Sequence, residues 1–275
     1  MRSVLRALVV GIVVVVGFVP GLLGGGSNAG VAAQAAAEGL PMPGEPWDLV
    51  FMTDSTGWGV ARAYAERAEA ALGVEVRVHD LTQGGLRAVR MLEMLDMALY
   101  AERFAEAEII VVFGNPEGSG VQLPEPDIGT CVSTSSYVRQ PPAASQAADW
   151  AAYREVLGSA FERIWELRDG KPTVFRAVDM YSPVLGPWEA GGVLAECTRE
   201  WAMMSDQIRA AAEAHGVVMV SIFDALNGPE HDRDLIELGW VLSDGEHLNA
   251  EGVEAYADAL AAAGFAPLLA PPPRQ

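Results

Sequence analysis

Near its carboxyl end the chain reads Ser243-Asp244-Gly245-Glu246-His247-Leu248-Asn249, and far upstream its first apolar run closes on Asp54-Ser55. An Asp that fixes the tautomer of a His, which in turn takes a proton from a Ser hydroxyl, is the minimum set for acyl transfer. Ser55 would be the nucleophile, His247 the base and Asp244 its orienter, in the chain order Ser, Asp, His. Each part also has a plainer reading. Asp54-Ser55-Thr56-Gly57 can be a turn with a helix N-cap, and Asp244 with His247 can decorate the entrance of a helix that Asn249 caps. Position in the fold decides between the two.

Five short apolar runs, 47–53, 74–81, 108–114, 173–180 and 217–223, are nearly continuous in Val, Ile and Phe. Such runs are expected of parallel strands covered on both faces. Amphipathic segments separate them. Val60, Tyr64, Ala68, Ala71 and Leu72 form one helical stripe, and Trp150, Tyr153, Val156, Leu157, Phe161 and Ile164 another, with Asp149 as candidate N-cap and Gly170 as its end. Further helices are predicted over 86–105, 194–215 and 249–263. The alternation predicts an α/β fold with a doubly wound, mainly parallel five-stranded sheet and helices on both faces. In such sheets ligands bind beyond the carboxyl ends of the strands. Ser55 follows the first strand and the Asp244–His247 pair follows the fifth, so both are expected at that one edge. Two long connections, 116–148 and 181–193, leave strands there as well.

Four blocks then carry a resemblance to the SGNH/GDSL hydrolases, a family of esterases and lipases on a flavodoxin-like sheet. Phe51-Met52-Thr53-Asp54-Ser55 stands where that family has Gly-Asp-Ser, with Thr53 in place of Gly. Asp80-Leu81-Thr82-Gln83-Gly84-Gly85 follows the second strand, and Gly85 aligns with the oxyanion glycine, Gly84 being the rival one residue away. Phe113-Gly114-Asn115-Pro116 replaces Gly-x-Asn-Asp and keeps Asn115. Asp244-Gly245-Glu246-His247 matches fully. The resemblance runs from about residue 47 to 265 and implies roles for each block. Ser55, Asp244 and His247 would be catalytic, and the Ser55 and Gly85 N–H groups with the Asn115 amide would form the oxyanion hole. Neither metal nor organic cofactor is implied. Thr53, Phe113 and Pro116 depart from the pattern without removing a reacting group, although Pro116 fixes its own φ and donates no N–H. The expected activity is ester hydrolysis on a small-molecule or glycan-borne substrate. A non-catalytic glycan-binding domain and an acyltransferase using the same triad are the alternatives.

Composition limits the partners. At 275 residues and 29.2 kDa the chain suits one sizeable domain. Its formal charge of −19, from 37 acidic and 18 basic residues, would repel polyphosphate, so no nucleic-acid partner is expected. A monomer is expected. Arg2 and Arg6, the apolar run 7–19 and Pro20-Gly21 read as an export signal, with Ala33-Gln34-Ala35 as a cleavage site. The expected organisation is a signal peptide over 1–35, a linker over 36–46, the catalytic domain over 47–265 and a Pro-rich tail over 266–275. The mature protein would be secreted or extracytoplasmic without stable membrane insertion, the alternative being a tether by an uncleaved signal anchor. Cys131 and Cys197 are the two cysteines, and in an oxidising compartment they are expected to be bridged.

Other conspicuous residues read as structural. His79 lies within the second strand, His215 at a helix end, and His231-Asp232 in a loop. Met91, Met94 and Met97 fall at helical spacing and read as core filler. Tyr181 and Trp188, in the second long connection, are candidates to line a substrate groove.

Overall fold

The computed structural model describes residues 45–116 and 150–268. The predicted signal peptide and its cleavage site, most of the linker, nearly all of connection 116–148 with Cys131, the Asp149 cap and most of the tail lie outside the described residues.

Five parallel strands form one sheet in the order β2-β1-β3-β4-β5. They are β1 (Trp47–Met52), β2 (Val76–Asp80), β3 (Ile109–Val112), β4 (Val174–Val178) and β5 (Val218–Val220). Every residue of β1, β3 and β4 is buried. Helices must therefore cover both faces, and they do. On one face α1 (Val60–Leu72) packs against α8 (Ala250–Ala262), which also meets α7 (Ile222–Asn227). On the other, α2 (Ala88–Leu95), α3 (Ala98–Glu106) and α6 (Leu194–Ala214) pack on α4 (Trp150–Arg168), with α5 (Leu185–Ala190) on α6. The fold is thus the doubly wound, flavodoxin-like α/β sheet expected, with the core on either side of its three central strands.

Several predicted elements are corrected. The segment 86–105 is two helices, because Met97 takes an extended backbone (ψ 128°) and starts α3 afresh. Met91 and Met94 stay in the core, whereas Met97 is exposed at the break. The run 217–223 is strand only as far as Val220. Ser221 then caps α7 through its hydroxyl, which accepts from Asp224 N, and the buried Asp179 carboxylate accepts from Ile222 N, Phe223 N and Ser221 Oγ. Ile222 and Phe223 are apolar because a helix buries them, and a short apolar run does not distinguish the two cases. Connection 181–193 contains α5, and Ala71 turns to solvent.

The imidazoles outside the candidate site have structural partners. His79 Nε2 meets Asp48 Oδ1. The His215 ring, at the end of α6, packs against Phe161 and Gly158. His231 pairs with Asp224 at 2.7 Å, not with its neighbour Asp232, and stacks on Phe223.

Candidate active site

The sheet winds one way from β1 to β2 and the other way from β1 to β3, and at such a reversal the carboxyl ends of adjacent strands leave a crevice. Ser55, Gly85 and Asn115 follow β1, β2 and β3 and border that crevice. The Asp244–His247 segment reaches the same edge beside the Ser55 turn, since Trp58, three residues after Ser55, stacks on His247.

Ser55 begins a 3-10 turn, Ser55–Gly57, that Asp54 caps. The Asp54 carboxylate is buried. It accepts from Thr56 N at 2.9 Å, Thr56 Oγ1 at 2.6 Å and Asn115 Nδ2 at 3.3 Å. Burial pushes its pKa up, while those hydrogen bonds and the nearby His247 oppose the shift. One carboxylate thus ties the serine turn to the asparagine at the end of the neighbouring strand. A carboxylate accepts and does not donate, so it must face the amide nitrogen of Asn115 rather than its oxygen.

Two of the three departures from the family pattern, Thr53 and Phe113, are accommodated locally. Thr53 is buried against the turn, and a Cβ on Gly57 would lie 2.8 Å from Phe51 Cε1 and closer still to Thr53 Oγ1. Residue 57 must be glycine for this threonine to fit. Phe113 is buried, and its N–H donates to Met52 O. Gly114 lies so close to α2 that a Cβ would come within 2.5 Å of Ala88 Cα, a backbone atom that cannot step aside. Asn115 is then pinned from both sides, its N–H donating to Leu86 O at 2.7 Å and its carbonyl accepting from Ala88 N at 3.0 Å.

The segment after β2 is stitched to β1 through Leu81 N to Phe51 O and Gln83 N to Thr53 O. Leu86 N closes a turn on Gln83 O, with Gly85 in the left-handed region at φ 63°. Among the described residues, the N–H groups of Ser55, Gly84 and Gly85 serve no turn or ladder.

His247 sits in a tight return of the chain, closed by an antiparallel bridge between Val241 and Leu248 and by Leu242 N donating to His247 O. Asp244 organises this return. Its Oδ1 accepts from Glu246 N and His247 N, and its Oδ2 lies 2.9 Å from His247 Nδ1. The little burial it has would raise its pKa, but the two N–H donors and the imidazole outweigh it and hold the carboxyl at about 2. Gly245 supplies the left-handed residue of the turn, at φ 74°. Tyr181, fully buried and held neutral because burial pushes its phenol far up, donates to Glu246 O at 3.1 Å. Tyr181 therefore braces the histidine loop from beneath and lines no groove. Trp188 is buried edge-to-face on Trp201. Asn249 caps α8, its side chain accepting from Gly252 N.

With Nδ1 on Asp244, Nε2 is the nitrogen left to act as base. It is buried and has no hydrogen-bond partner among the described residues, so the Ser55–His247 bond is not formed in this conformation. The imidazole instead stacks on Trp58, with ring centroids 4.6 Å apart and planes 24° from parallel. Sequence reasoning passed over Trp58, Thr56 and the bracing of Tyr181. The available signal for the first was a large aromatic between Gly57 and Gly59 directly after the serine. No group of three or more His, Cys, Asp or Glu among the described residues is placed to hold a metal ion.

No protein-family model matches the sequence, and comparison with curated proteins finds no relative. Solved structures do match. The lipase Lip_vut3 from a goat rumen metagenome superposes with a TM-score of 0.56 at 16% identity, over 81% of this chain and 99% of that one. The lipase/acylhydrolase from Enterococcus faecalis gives 0.49 at 16%, over 80% and 95%. A putative SGNH hydrolase from Slackia heliotrinireducens gives 0.47 at 16%, over 79% and 98%. The first of these likenesses shows that the chain has the α/β fold of that lipase.

Proposed function

We propose that this chain is a serine esterase of the SGNH type, hydrolysing carboxylic esters through an acyl-enzyme. The observation that carries the reading is the convergence on one sheet edge of Ser55, an Asp244-oriented imidazole and the Asn115 amide. In the reaction His247 Nε2 takes the Ser55 proton as Oγ attacks the ester carbonyl, and Asp244 stabilises the imidazolium formed. The developing oxyanion is received by the N–H groups of Ser55 and Gly85 and by Asn115 Nδ2. His247 then gives its proton to the leaving alcohol, and water activated by the same imidazole releases the acid and regenerates Ser55. Substrate binding closes the Ser55–His247 hydrogen bond that is open here, as is common for unliganded catalytic pairs. The fold shared with the goat-rumen lipase is in keeping with this chemistry.

The open Ser55–His247 bond is also what a non-catalytic glycan-binding domain on the same cleft would show. Hydrolysis of p-nitrophenyl esters from acetate to palmitate, with Ser55→Ala in parallel, separates the two. Turnover lost in the variant supports the esterase, and turnover unchanged in the variant removes Ser55 as nucleophile. Transfer to an acceptor alcohol would appear in the same assay as a new ester product.

The export reading belongs to this proposal. Residues 1–35 direct the chain out of the cytoplasm, and Cys131 pairs there with Cys197, which is buried in α6. No helix among the described residues is long and apolar enough to cross a membrane.

A further inference from the structure

Among the described residues, Trp58 is the one large aromatic that is both at the candidate site and open to solvent. The sequence Gly57-Trp58-Gly59 dictates its placement. Gly57 is forced by the closeness of Thr53 and Phe51, Trp58 N donates to Ser55 O, and Gly59 turns the chain away at φ 81°. The indole is thus carried by the backbone of the nucleophile turn itself. One part of it stacks on His247, and its Cζ2 edge lies 3.6 Å from where a Cβ on Gly84 would be. Trp58 nevertheless remains 49% exposed. A protein that leaves a tryptophan half bare beside its catalytic histidine, braced on two sides, has built a flat apolar platform.

Resting on the esterase reading above, we infer that Trp58 is the platform for the alcohol half of the ester and selects a neutral, ring-shaped alcohol such as a pyranose. His247 Nε2 must reach the leaving oxygen within about 3 Å to protonate it. The indole stacks on that imidazole with ring centroids 4.6 Å apart, so an alcohol held at Nε2 would pass the part of the indole that the imidazole leaves bare. A flat, electron-rich face attracts the polarised C–H bonds of a sugar ring over a large area, and a linear polyol covers far less of it. Charge bears on the choice as well. Segments 53–60 and 240–253, which flank the indole, carry Asp54, Asp244, Glu246 and Glu251 but no Lys or Arg, Arg87 beyond Gly85 being the nearest basic residue in sequence to the site, and this acidic balance favours a neutral alcohol over a phosphate-bearing one. A quaternary ammonium alcohol would need a cage of several aromatic faces, and among the described residues Trp58 offers a single exposed one.

The test keeps the acyl group and the leaving-group chemistry constant. Methyl 6-O-acetyl-glucopyranoside and 1-O-acetylglycerol are both primary acetates flanked by hydroxyls, and acetylcholine adds the cationic case. The parent should favour the glucoside in kcat/KM. Trp58→Ala should lower the glucoside-to-glycerol ratio about tenfold, while Trp58→Phe, which keeps a flat face, should hold it within about threefold. Using the ratio removes any general loss caused by freeing His247. A ratio unchanged in Trp58→Ala, no preference for the glucoside in the parent, or a preference for acetylcholine overturns the assignment. Labelling of Ser55 by a fluorophosphonate in the same preparation distinguishes the failures. A labelled enzyme without the ratio effect sinks the platform alone, and an unlabelled one sinks the esterase reading together with it.

Discussion

Asp244 holds both the backbone and the ring of the histidine segment, so its loss should be felt in turnover and in stability. Asp244→Asn should lower kcat/KM for an activated ester by at least about a hundredfold, because the charge and the tautomer preference go together. Its folded pKa, about 2, is below its ordinary 3.8, so the ionised form stabilises the fold. That contribution is complete above pH 3.8 and is lost as pH falls through about 2. The difference in Tm between parent and Asp244→Asn should therefore be full at pH 5 and close on acidification, and a difference constant with pH would contradict the linkage. Asn115→Ala should reduce kcat by about 10²–10³ with little change in KM, as for a donor used mainly in the transition state. A loss confined to KM would remove Asn115 from the oxyanion hole. At this scale the sequence was most legible where a motif names its own geometry. Asp244 and His247, three residues apart, pair as their spacing implied. Trp58 and Tyr181 were not legible, because neither stacking on an imidazole nor bracing of a distant carbonyl leaves a local pattern.

At the scale of elements, the site depends on two close approaches. Gly57→Ala should destabilise the fold by about 1–3 kcal/mol through overpacking against Thr53 and Phe51 and should displace Ser55, lowering activity as well as Tm. Adding Thr53→Ala should recover part of both losses, since the nearest obstructing atom is the threonine hydroxyl. No recovery in the double variant, read from thermal melts and ester turnover, would show that the Thr53–Gly57 fit is not the constraint. The strands β1, β3 and β4 were legible because buried parallel strands are continuous apolar runs, whereas the edge strand β2 buries only Val76. The end of β5 and the split between α2 and α3 were not legible. Both depend on a single residue leaving its expected backbone state, Ser221 by capping α7 and Met97 by becoming extended, and apolar periodicity is blind to either.

For the whole molecule, charge and covalent linkage set the remaining expectations. With 37 acidic residues against 18 basic ones, the surface favours neutral ester substrates over polyanions. A Cys131–Cys197 bridge would close a loop of about 66 residues and stabilise by roughly 4 kcal/mol on the chain-entropy scale. Reduction should lower Tm, and non-reducing peptide mapping of exported protein should recover the two cysteines as one linked pair; two free thiols would rule the bridge out. The central claim is that Ser55 is a base-activated nucleophile, and the most direct measurement is reaction of the intact protein with a fluorophosphonate followed by mass analysis. One adduct, mapped to Ser55 and absent from His247→Ala, is the predicted result. No adduct in the parent, or an adduct on another residue, would contradict the account.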